Sequence, residues 1–466
     1  MPSRGSASTD GAGGVGMTGA EPSPLDGAVD AEAFARAIDT GLGRPILWLQ
    51  RDAAGLATPG RDALARACRH NTAYDPQVEG SRAAYVFEML QLTGEERVYR
   101  DQILSALAAV TEYWDARQLF ALAGLFARQG DAVARQAMYD KFVQNDTEQR
   151  FTGAEALIAL DGLDGLLFAV DFIGRVLRAD PDLWEDDALI RGADEVCGRE
   201  VVQRTLDQAR ATNPHVATYL DRVEQARRSW KEAAAQRPDI PALSYGQLRR
   251  HLAGRGSRTG VFGLQRWGEQ AAPAALERAA ADLLREEDPE RLRAYLHLFR
   301  RRPFPFAPGR LLALAHHEDE RVARAALVAL SQVAHPDVRR LALDLLGSED
   351  SDGDRKGDAV ELLVSNYRDG DHASIETLLH QEHDRDALHD VGFGALRVLE
   401  THPKPEHTRA LLILYERGPC SECRERCVDQ LHALGAVPRW MLEECRFDAN
   451  TDIRSKATQW AQLAEQ

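Results

Sequence analysis

A two-helix period of roughly thirty-one positions runs through the last third of this chain. Val360, Val391, Cys423 and Ile453 follow one another at steps of thirty-one, thirty-two and thirty positions. Each is followed four positions on by a small or apolar residue: Val364, Ala395, Cys427 and Ala457. Between them, Ile375, His407 and Pro438 keep the same step. Residues four apart lie over one another on a helix, so each pair marks a buried stripe. A helix pair of this length cannot bury its apolar face alone and must stack on its neighbours. The expected fold is therefore all-α, an α-solenoid of antiparallel helix pairs. Function in such a fold lies in surfaces and grooves rather than in a short catalytic motif.

The period divides the chain unevenly. Residues 1–28 are rich in Gly, Ser, Ala and Pro, carry no periodic apolar pattern, and read as a disordered tail. Residues 29–237 read as an irregular helical domain. Within it, Leu119, Leu122, Ala123 and Phe126 form one stripe, and Val133, Ala137, Met138 and Phe142 form the next. Gln129-Gly130-Asp131 between them supplies a glycine stop and an aspartate cap. Proline breaks at Pro238 and Pro241 open an arginine-rich helical connector over 238–305. The clearest repeats occupy 306–466, where the acidic, glycine-containing stretch 348–357 reads as a loop inserted into one repeat.

Two helix starts in this last region share a pattern: Asp337-Val338-Arg339-Arg340-Leu341-Ala342 and Asp452-Ile453-Arg454-Ser455-Lys456-Ala457, with a looser version from Asp319 to Ala326. With these, the chain resembles the HEAT-repeat family in its short bacterial form. The likeness spans residues 306–466 and, by period only, 95–180. It implies an α-solenoid engaged in macromolecular recognition, and it transfers no catalytic residue.

Composition narrows the partners. A net charge of -16 argues against a mainly nucleic-acid-binding surface. Only five of the 57 basic residues are lysine, which with the abundant alanine suggests GC-rich bacterial coding. No run is apolar enough for a membrane span and no secretory h-region precedes residue 28, so the expectation is a cytoplasmic protein with reduced thiols.

Four candidate sites stand out. Cys420, Cys423, Cys427 and Cys445 supply enough thiolates for a tetrahedral zinc site. Cys423 and Cys427 fall on the repeat's buried stripe, however, and are read as core, leaving no metal or other cofactor expected. His380, His383 and His389 with Asp384, Asp386 and Asp390 form a second cluster. It lacks the repeated His-Glu pairing of di-iron solenoid hydroxylases and reads as a solvated turn.

The third candidate lies between Arg237 and Arg310, where 14 arginines and eight acidic residues give a net charge of +6. Arg249, Arg250, Arg255, Arg258, Arg266, Arg300, Arg301 and Arg302, with Trp267, are the candidate nucleic-acid contacts. The fourth is the loop containing Tyr74, Asp75 and Gln77, followed by Arg82 and Tyr85. It is dense in hydrogen-bonding groups and is the candidate partner-binding element. No phosphate-binding loop, nucleophile elbow or zinc-protease motif is present in the sequence. The function expected is that of a non-enzymatic protein-interaction scaffold, with nucleic-acid binding through residues 245–302 as the alternative.

Overall fold

The structure is a computed structural model, and it describes residues 23–26, 29–80, 82–255, 260–348 and 353–464. Among these, 74% are helical and none lies in a strand. The fold is all-α, a solenoid-like array of helices packed in neighbouring pairs. No helix among the described residues is long and apolar enough to cross a membrane.

The periodic stripes are the core. Val338, Ala342, Val391, Ala395, Cys427, Ile453 and Ala457 are all fully buried. Helices two apart in sequence stack side by side. The helix Arg385–Thr401 packs on Gly353–Glu361 and on Ser421–Ala433, which in turn meets Thr451–Ala464. Ion pairs between repeats reinforce the stack. Arg339 grips Asp371 at 2.5 and 2.6 Å, Arg426 grips Glu400 at 2.7 and 2.8 Å, and Lys456 reaches Asp429 at 2.7 Å. The turn at Gly130 behaves as its residues dictate. Gly130 takes a φ of 93°, and Asp131 accepts hydrogen bonds from the amides of Val133 and Ala134.

Two expectations need correction. Residues 353–357 are not loop but the start of the helix Gly353–Glu361; 349–352 lie outside the described residues. The glycines that suggested a loop serve a close helix crossing. A Cβ on Gly357 would stand 2.6 Å from the carbonyl oxygen of Asp390, and one on Gly394 would stand 2.5 Å from that of Gly357. Order also begins before Asp30. Residues 23–26 form a turn whose Leu25 is buried, its carbonyl accepting from the Arg51 guanidinium. The remainder of the 1–28 tail lies outside the described residues.

This crossing makes a prediction. Gly394→Ala gains about 1 kcal/mol of helix propensity, but the methyl group meets backbone that cannot swing aside. Overpacking of this kind costs about 1–3 kcal/mol, so a net loss is expected. Gly192, in the helix Ala188–Cys197, has nothing within 4 Å of its would-be Cβ. Gly192→Ala is expected to stabilise. Urea unfolding of the two variants should give midpoint shifts of opposite sign.

The array returns on itself. The amide of Ala449 donates to the carbonyl of Gly41 at 2.8 Å, and a Cβ on Gly43 would overlap the carbonyl oxygen of Glu444. Arg44 holds Glu444 at 2.6 Å and Glu416 at 2.7 Å, and Arg454 reaches Glu88 at 3.0 Å. The short helix Pro76–Glu79 lies against Ser421–Ala433. The last repeats are thus packed on the first helices.

Candidate functional site

The repeat spacing places chemistry as well as core. His389 and Cys420 are one full period apart, and Asp358 lies the same period before His389. Equivalent positions of successive repeats are neighbours, so these groups form a row across three stacked helices, with Asp358 in the body of Gly353–Glu361, His389 in Arg385–Thr401 and Cys420 capping Ser421–Ala433. Cys420 is the N-cap of Ser421–Ala433, and Cys423 sits in that helix's first turn. Ligand atoms of His389, Cys420 and Cys423 all lie within 4.8 Å of one another. The N-terminal part of the chain closes over this row. The Tyr74 ring packs on His389 with centroids 4.8 Å apart, and Arg385 lies 5.1 Å from the Tyr74 ring. Two of the sequence candidates, the Tyr74 loop and the cysteine cluster, therefore meet at one place.

The electrostatics are strongly perturbed. The Cys423 thiol, His389 and the first amides of the helix hold the Cys420 thiol well below the usual thiol range, against the opposing effect of burial. Cys423, expected in the core but only partly buried, is hydrogen-bonded to Cys420 and pushed the other way. The hydrogen bond to Cys420 raises His389. Burial, with Asp386 beside the hydroxyl, raises Tyr74. Further along the row, burial pushes Asp358 up to about 7, and burial together with Asp354 raises Asp390.

The other cysteines are elsewhere. Cys427 is fully buried on the stripe, with its thiol pushed up to about 12 by burial. Cys445 is buried, 3.6 Å from the Tyr415 hydroxyl. The four thiols do not form one set; His389 joins the first two instead. Sequence reasoning misses that grouping, although the one-period spacing of His389 and Cys420 is its signal. His383 faces Arg417, and Asp384 caps Arg385–Thr401 through the amides of Asp386 and Ala387. These two are turn residues, but the expected single solvated turn is not formed: His380 lies in the last turn of the helix Asp371–Gln381, and Asp386, His389 and Asp390 lie on Arg385–Thr401.

No protein-family model matches the chain, and no curated protein sequence matches it. The assignment of a function therefore rests on geometry.

The expected partner-reading loop is divided by burial. Asp75 caps the helix Pro76–Glu79 by accepting from the Gln77 amide, and Gln77 is exposed. Arg82 and Tyr85 are in the interior. Arg82 bonds Glu79 at 2.8 Å and the carbonyl of Ile38, and the Tyr85 hydroxyl donates to the carbonyl of Leu42 at 2.7 Å. Both are wall-to-wall contacts of the first helices and cannot touch a partner.

The arginine segment is partly spent within the chain. Arg249 pairs with Asp282 at 3.1 Å, Arg301 with Glu269 at 2.7 Å, and Arg302 with the Glu269 carbonyl at 3.2 Å. Trp267 is buried and donates Nε1–H to the carbonyl of Leu243 at 2.7 Å, so it cannot stack on a base. Arg250 and Arg266 are exposed and Arg300 half-buried. Arg258 and the side chain of Arg255 lie outside the described residues.

A different surface escapes the sequence reading. Trp184, 59% exposed, tilts against Trp230, 45% exposed, with ring centroids 5.3 Å apart. Trp230 stands on the helix Pro214–Gln236, and Trp184 lies in an acidic stretch with Asp180, Asp182, Glu185, Asp186 and Asp187. Burial pushes Glu185 up to about 7.

Proposed function

We propose that this chain is a non-enzymatic protein-interaction scaffold. The observation that supports it best is the exposed Trp184–Trp230 pair on a solenoid array closed by its own ion pairs. Tryptophan is the residue type most often found at the energetic centre of protein interfaces, where it presents a large rigid area with little entropy to lose. The surrounding carboxylates favour a partner with a basic rim. The paired arginines and the buried Trp267 weigh against nucleic acid as the main ligand.

The test uses full-length tagged chain and a Trp184→Ala/Trp230→Ala variant, each incubated in native lysate with and without nuclease. A stoichiometric, nuclease-resistant protein bound by the parent and lost from the variant is the expected result. Truncating such an anchor commonly costs about 2 kcal/mol or more, roughly thirtyfold in affinity. Unchanged capture by the variant would remove the tryptophan pair from the interface. Co-purifying nucleic acid, lost when Arg250, Arg266 and Arg300 are replaced, would overturn the scaffold reading.

A further inference from the structure

The row of ionisable groups under Tyr74 carries an inference that the scaffold reading does not use. We propose that His389, Cys420 and Cys423 bind a soft divalent cation, zinc foremost, through two sulfurs and an imidazole, with one coordination position left open. Three independent features converge on it. The three ligand atoms already lie within 4.8 Å of one another. Two of them come from a Cys-x-x-Cys pair at a helix start, where residues three apart share a face and the amide dipoles favour thiolate. The third comes from the neighbouring repeat and has its ring plane held by the Tyr74 ring at 4.8 Å. Asp390 adds a carboxylate 3.7 Å from His389 Nδ1, an ion-pair rather than a hydrogen-bond distance.

Donor chemistry selects the ion. Two thiolates and an imidazole suit zinc and its soft neighbours, whereas magnesium and calcium require oxygen ligands. The next thiol, Cys427, belongs to the buried stripe and does not join the set among the described residues. The fourth position is therefore left to water or to a ligand entering beside Tyr74, Asp386 and Asp390. Sites with three protein ligands and an open position are those that do chemistry or bind a further group. Because Tyr74 lies in the loop before the helix Pro76–Glu79 and packs on the ligating His389 of the last repeats, the ion would also firm the junction of the array.

The test is a titration of the reduced, chelator-stripped full-length chain with Zn2+ and with Co2+. One equivalent per chain is expected, and the cobalt form should show thiolate-to-cobalt charge transfer with the intense d–d bands of a tetrahedral site. Removing an outer partner of a metal site costs roughly ten- to hundredfold in affinity. Tyr74→Ala should fall in that range, and Cys420→Ser, Cys423→Ser and His389→Ala should each exceed it. Cys445→Ser should bind as the parent does. His389→Cys guards against misfolding as an explanation: it should keep the ion and strengthen the charge-transfer band through a third thiolate. Absence of stoichiometric uptake, a cobalt spectrum without charge transfer, or equal loss in Cys445→Ser would each overturn the proposal. So would a Cys420–Cys423 disulfide formed under mild oxidation in a chain whose reduced form takes up no metal.

Discussion

Replacing Arg424 by alanine is expected to cost about 3–5 kcal/mol of stability, the usual penalty for breaking a buried ion pair from one side. Arg424 and Asp448 both have side chains that are 0% exposed, and they meet through two bonds of 2.9 Å. Without the guanidinium, Asp448 keeps its bond from the Asn450 amide at 2.8 Å but retains a negative charge away from water. Asp448→Asn in the Arg424→Met background should recover much of the loss, because both charges are then gone and the volume is nearly kept. Urea unfolding of the parent, Arg424→Met, Asp448→Asn and the double variant gives the coupling directly. A loss under about 1 kcal/mol for Arg424→Ala would mean that water reaches the pair.

The position of this pair gives the loss a second consequence. Arg424 also points at the Gly41 carbonyl, 3.5 Å away, in the turn that follows the first helix of the chain. Around it lie the Arg44–Glu444 pair, the Gly43 contact and the Ala449–Gly41 hydrogen bond. These groups join the two ends of the sequence. Damage here should open the junction between the ends before the repeats themselves melt, since each repeat depends chiefly on its neighbours. Hydrogen exchange in Arg424→Ala should accordingly rise first in residues 31–52 and 439–464.

The repeat architecture was legible because it rests on period. Val391 with Ala395 and Ile453 with Ala457 announce a stripe that any helix pair must bury. Arg339 was legible as part of the helix-start pattern, and the structure adds its pairing with Asp371 of the next repeat. The closure of the array was not. Arg44 and Glu444 read as ordinary charged residues, and nothing local says that a charge will be buried by a segment from the far end of the chain; Arg82 reads as a partner contact and is instead spent on Glu79 and the Ile38 carbonyl. Gly353 and Gly357 mislead for a related reason: glycine signals a turn and a close backbone approach alike, and only the neighbouring helix decides between them. At the candidate site, the cysteines and histidines are each visible, but residue type alone sorts them into separate clusters. Sorting by repeat position joins His389 to Cys420 and Cys423, and separates Cys445.

The same row of stacked groups should make stability fall as pH rises. Asp358 is held at about 7, from an ordinary value of 3.8, mainly by burial. Glu361, Asp354 and Asp390 push in the same direction, and Arg324, 3.4 Å away, opposes them without prevailing. A carboxyl with a raised folded value binds its proton more tightly folded than unfolded. Its favourable contribution is therefore complete below about pH 4 and is lost as pH climbs through about 7. At 1.36 kcal/mol per unit, the difference amounts to about 4 kcal/mol at most. Asp358→Asn keeps the shape of the protonated carboxyl and removes its charge. It should match the parent near pH 4 and exceed it by up to that amount at pH 8, with a remaining slope carried by Asp390 and by Glu185 elsewhere in the chain. Below pH 3 the order of effects changes, because Asp131, drawn down to about 2 by its bond to Arg100, then loses its pairing. Urea midpoints of parent and variant between pH 4 and 8 provide the measurement. Two parallel curves would show that Asp358 stays ionised in the folded chain and that Arg324 outweighs burial.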